Sequence, residues 1–72
     1  MIFNRERIKS NSQRVYKVMK IMKRYSYNEL QKISKLKDTD LCMAIGELIR
    51  ENKLTQRKGM KEVYYTIRNQ SN

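Results

Sequence analysis

The chain has 72 residues, enough for one domain and no second. A domain of this size removes only about 60–65% of its unfolded surface from water, which argues against a closed barrel around a cofactor, a doubly wound sheet or a deep enzyme cleft. Lys and Arg number 17 against 7 acids, a formal net charge of +10 that points to an anionic partner: nucleic acid first, an anionic membrane surface second.

What is missing narrows the chemistry. There is no histidine, so the commonest metal ligand and the usual neutral-pH base are both absent. The single cysteine, Cys42, can form neither an internal disulfide nor a zinc site, and a reducing cytoplasm suits such a chain. No Ser–His or Cys–His pair, glycine-rich phosphate loop or metal-ligand cluster is written in the chain. The expectation is a protein that is not an enzyme, with no cofactor, metal or small-molecule ligand. The start has no apolar stretch long enough for a secretory signal. The longest apolar run, Leu41-Cys42-Met43-Ala44-Ile45, is too short to span a membrane.

Residues 1–11 read as a basic N-terminal arm, with Arg5, Arg7 and Lys9 interleaved with Glu6 and Ile8. The arm is either disordered or a backward extension of the first helix. Ser10-Asn11-Ser12 offers good N-caps for that helix, expected over residues 12–24. Val15, Val18, Met19 and Met22 would form its apolar stripe, opposite Lys17, Lys20 and Arg24. Ser26-x-x-Glu29 is a capping box and opens a second helix over 26–36, with Leu30, Ile33 and Leu36 toward the core. Lys37-Asp38 is the connection, with Asp38 the expected N-cap of a third helix over 39–51. Leu41, Ala44, Ile45, Leu48 and Ile49 give that helix a clean buried face, and Asn52 suits a left-handed residue just past its end.

Beyond residue 52 the period changes from 3.6 to two. Val63, Tyr65 and Ile67 alternate with Tyr64 and Thr66, and Leu54-Thr55-Gln56 reads as the antiparallel partner. Residues 57–61 form the connecting tip, where Gly59 is free to take a positive φ. Residues 69–72 are a polar tail. The fold class is mainly α with a small antiparallel β wing (α+β): three helices, then a hairpin.

Four segments carry a resemblance: Ser26-Tyr27-Asn28-Glu29-Leu30, Leu36 to Leu41, Ala44 to Leu54, and Val63 to Ile67. In this order and spacing they resemble a small bacterial winged helix-turn-helix domain over residues 12–68. The resemblance implies a third helix presented to a DNA major groove, a wing tip at residues 57–61 and a short first strand near Tyr25. It also leaves protein contact open, because winged helices serve both ends.

The third helix is an odd candidate for that task. Residues 38–51 hold four acids (Asp38, Asp40, Glu47 and Glu51) against Arg50 alone. The helical wheel puts Thr39, Met43, Gly46, Glu47 and Arg50 opposite the buried stripe. Arg50 can offer two donors to guanine, Thr39 can reach a phosphate or base edge, and Met43 can touch a thymine methyl. Lys37, Arg57, Lys58 and Lys61 are the expected backbone contacts. The DNA-binding set is therefore Lys37, Thr39, Met43, Arg50, Arg57, Lys58 and Lys61, in a double-stranded DNA-binding protein of the small transcriptional or mobile-element regulator kind. The alternative is a winged-helix protein-interaction module, a homodimer or a larger partner's docking piece, using Met43, Gly46 and Met60. Cys42 is expected half-buried and inert, and Tyr16 and Tyr27 are expected to pack at the flanks.

Overall fold

A computed structural model describes residues 4–68. It shows three helices and a three-stranded antiparallel sheet: α1 (Arg5–Val18), β1 (Tyr25–Ser26), α2 (Tyr27–Ser34), α3 (Asp38–Arg50), β2 (Leu54–Lys58) and β3 (Val63–Ile67). The strand order is β1-β3-β2. β3 is therefore central, with Tyr25 opposite Tyr65 on one side and Leu54 opposite Ile67 on the other. The short strand expected near Tyr25 is β1. Residues 69–72 of the expected tail, and Ile2 and Phe3 of the expected arm, lie outside the described residues.

The first helix differs most from expectation. It starts at Arg5, because the Asn4 side chain accepts from the backbone N–H of Glu6 at 2.7 Å and Arg7 at 3.4 Å. Residues 5–11 thus extend the helix backward, and Ser10-Asn11-Ser12 lies inside it. Ser12 is fully buried, with its hydroxyl donating 2.7 Å to the Lys9 carbonyl. The helix then stops at Val18. Of the expected stripe only Val15 and Met19 are buried, whereas Val18 is exposed and Met22, at φ 70°, lies in an open loop. Lys20 and Arg24 are also past the helix. Tyr25 takes up the core position that a longer helix would have filled, and its hydroxyl accepts 2.9 Å from the backbone N–H of Lys20.

The second helix opens as its sequence reads but ends at Ser34, two residues short of the expected end. The Ser26 hydroxyl accepts from the backbone N–H of Glu29 at 3.2 Å, and the Glu29 carboxylate accepts from that of Ser26 at 2.8 Å. Lys35 ends it in the left-handed region at φ 61°. Leu30 and Leu36 are buried, but Ile33, expected toward the core, is exposed, and the buried Ser34 beside it faces inward instead. α3 begins one residue earlier than expected. Lys37 occupies the N-cap position without a side-chain bond, and Asp38 is the first helical residue. Asn52 follows at φ 61°, as its place in the sequence suggests.

Val15, Met19, Tyr25, Leu30, Leu36, Leu41, Ala44, Ile45, Leu48 and Leu54 form one buried core, flanked by Tyr27, Ile49, Tyr65 and Ile67. Burying side chains of this size stabilises by about 1.5–3 kcal/mol each, the main force holding the helices on the sheet.

Candidate nucleic-acid interface

Two solvent-facing features bear on the expected interface: one side of α3, and the hairpin of β2 and β3. α3 packs Leu41, Ala44, Ile45 and Leu48 inward. Thr39, Cys42, Gly46 and Arg50 are exposed, and Met43 is half-buried. At about 100° per residue these five side chains fall within roughly 100° of arc. Cys42 belongs to this face and is exposed, which corrects the expectation of a half-buried thiol. Its place just beyond the buried stripe, next to Leu41, is on the outward side of the wheel.

Glu47 leaves the face. Its side chain is only 9% exposed, and Oε1 accepts 2.6 Å from the Arg50 guanidinium. The other acids of α3 are matched as well. Arg7 of α1 reaches Asp40 at 2.9 Å, and Lys9 reaches Glu51 at 3.0 Å, with Lys53 at 3.6 Å from the same carboxyl group. Asp40 and Glu51 stand eleven residues apart, about 16 Å along the helix. Arg7 and Lys9 point away from each other around α1, so α1 crosses α3 and sends one cation toward each end. Lys9, by hydrogen bond and charge, and Lys53, by charge, hold the Glu51 carboxyl well below its ordinary value. The fourth acid, Asp38, accepts 2.6 Å from the Tyr27 hydroxyl. Burial, then that hydrogen bond and the charge of Asp38, push the Tyr27 hydroxyl well above its ordinary value.

Asp40, Glu47 and Glu51 are thus paired with cations from within the fold, whereas Asp38 keeps its charge and is hydrogen-bonded to a neutral hydroxyl. Arg7 and Lys9, expected in a basic arm or a backward extension of the first helix, supply two of these cations. Tyr27 packs at the flank of the core, as expected, and its hydroxyl also joins the first residue of α2 to the first residue of α3. Only a three-dimensional contact reveals either role.

The hairpin presents the opposite balance. Arg57 and Lys58 are exposed but belong to β2, not to the turn, which is confined to residues 59–62. Their neighbours Lys61 and Met60 are exposed in the turn. Arg57, Lys58 and Lys61 have no carboxylate partner among the described residues, although Glu62 shares the turn. Alternation along the strand sends Arg57 to the outer face beside Tyr64, its register partner, and Lys58 to the helix side beside Val63. Lys37 is exposed at the start of α3.

The turn is shaped by a close approach, not by a positive φ as expected at Gly59. A Cβ at Gly59 would lie 2.5 Å from the Tyr64 ring and 2.8 Å from the Glu62 carbonyl. The Gly59 N–H donates 2.8 Å to that carbonyl. The Arg24 guanidinium lies 5.3 Å from the centre of the Tyr64 ring, in cation–π range. Tyr64 therefore links the end of the first loop to the wing. Sequence reasoning gave Arg24 to a solvated helix face and did not find this contact.

Among the described residues no group of three His, Cys, Asp or Glu side chains could hold a metal ion, and no helix is long and apolar enough to cross a membrane.

The order of elements, the short turn between α2 and α3 and the β2–β3 wing together define a fold of the DNA-binding type. No curated protein matches the chain. A family model described as a winged helix-turn-helix domain (DUF2582) matches residues 3–67, nearly the whole chain, and the protein belongs to that family.

Proposed function

We propose that the protein binds duplex DNA, with α3 in the major groove and the wing against the backbone and the neighbouring minor groove. The observation that supports this reading best is the separation of charge. Every acid on α3 has a partner, while Arg57, Lys58 and Lys61 have none among the described residues. A helix most of whose acids carry a cation is repelled less by phosphates than its sequence alone suggests, and unpaired cations on the wing can displace counterions from the duplex. Thr39 and Met43 are the base-side contacts, with Arg50 at the far end of the same face. Lys37 stands where the helix enters the groove. The protein acts by binding, not catalysis, as a small transcriptional or mobile-element regulator on the cytoplasmic nucleoid. A single copy offers a small interface, so pairing of two copies on adjacent half-sites supplies the remaining affinity.

The test is binding of the purified chain to a mixed pool of duplexes at several salt concentrations. If about six phosphates are neutralised, log K falls against log salt with a slope of about −5. Failure to bind at physiological salt would turn the assignment to protein contact, for which the fully exposed Met60 is the first residue to test.

A further inference from the structure

We infer that α3 reads thymine methyl groups and does not read guanine, so that the preferred duplexes are A·T-rich. This rests on the duplex-binding reading above and adds the class of sequence.

A recognition helix touches base edges mainly with its N-terminal half. On α3 that half offers Thr39, Cys42 and Met43, with Gly46 just past the middle of the helix. They supply a methyl, a thiol, a thioether and bare backbone. None is a bidentate donor for the O6 and N7 of guanine, and none is a bidentate partner for adenine. The matching groove feature is the thymine C5-methyl, the one apolar group on the floor of the major groove. Gly46 adds access. The place its Cβ would occupy has nothing within 4 Å, so no packing within the fold requires glycine there. A glycine inside a helix costs about 1 kcal/mol relative to alanine. An open, exposed glycine in the middle of the contact face instead lets the helix backbone settle deeper into the groove.

Arg50 is the guanine reader this face would otherwise have. It sits about three turns from Thr39, and Glu47 holds its guanidinium at 2.6 Å. Turning Arg50 toward a base would strip a carboxylate that is 9% exposed of its closest cation, one turn from the carboxyl of Glu51. Leaving a buried charge unpaired is expensive, so the geometry keeps Arg50 on Glu47. The wing favours the same sequences, because A-tracts have a narrow minor groove whose negative potential draws in Arg and Lys.

The experiment has two stages. First, duplexes retained from a random pool are sequenced; the expected motif is A·T-rich with no fixed guanine. Second, thymines of the best duplex are replaced by uracil, which removes only the methyl. Each contacted methyl should then account for about a fourfold loss of affinity. Thr39→Ser, which removes the contacting methyl while keeping the hydroxyl, should shrink the thymine–uracil difference. Glu47→Gln should free Arg50 and bring guanine into the selected motif. A guanine-anchored motif that Arg50→Ala abolishes would overturn the inference, as would equal affinity for thymine and uracil duplexes. Either result leaves duplex binding itself intact. Absence of binding to any duplex at low salt is the separate result that removes both.

Discussion

The hydroxyl of Tyr27 donates 2.6 Å to the carboxylate of Asp38, with the carbonyl of the same residue at 2.9 Å. One side chain thereby joins the starts of the two helices that make the helix-turn-helix. It also gives the carboxylate of the first residue of α3 a hydrogen-bond donor. Tyr27→Phe keeps the ring and removes the bond. We expect a stability loss of about 1 kcal/mol in urea unfolding, with the helical circular dichroism unchanged.

Removing the wing cations together, as Arg57→Ala, Lys58→Ala and Lys61→Ala, should weaken binding to all duplexes alike. The slope of log K against log salt should flatten by about 2–3 units. A slope equal to that of the parent protein would show that the wing touches no phosphates.

Gly59→Ala should damage the wing without touching the core. The added Cβ meets the Tyr64 ring at 2.5 Å and a backbone carbonyl at 2.8 Å. The ring can turn away but the carbonyl cannot, so the turn must open. Amide hydrogen exchange at position 59 should accelerate because the bond to Glu62 is lost. Unfolding should become easier by roughly 1–3 kcal/mol. Slow exchange at that amide in the variant would disprove this account of the turn.

Glu51 sets the acid limit of the α1–α3 contact. Its carboxyl titrates at about 2 in the fold against an ordinary value of 4.5. A carboxyl with a lowered folded value contributes stability that is complete above its unfolded value and is lost as pH falls through the folded one. Stability should therefore decline between about pH 5 and pH 2. Glu51→Gln should flatten that decline, which thermal melts across this range would reveal.

These residues also show what the sequence made legible. Local signals were readable: the Ser26–Glu29 capping box, the Leu41–Ile49 stripe of α3, the turn at Asn52 and the period-two run of β3. Each depends on neighbours within a few positions. The extent of α1 was not readable, because its start is set by Asn4 among charged residues and its buried surface includes the polar Ser12. Val18, Ile21 and Met22 continue an apolar pattern that the chain leaves exposed. The site was legible in its residue types and not in its charge balance. Arg7 lies 33 positions from Asp40, and Lys9 lies 42 from Glu51, so no local pattern links them. The α1 cations that answer Asp40 and Glu51 come within reach only when α1 crosses α3.

The strand order gives the wing a second task. With β3 in the middle, β2 has an open edge, and an open edge invites a strand from another molecule. Charged side chains such as Arg57 and Lys58 discourage such pairing. Substituting them with alanine would remove the proposed phosphate contacts and at the same time make the edge sticky, so that aggregation could pass for lost affinity. Glutamate in their place separates the two: either sign of charge guards an edge, whereas only a positive one holds a phosphate.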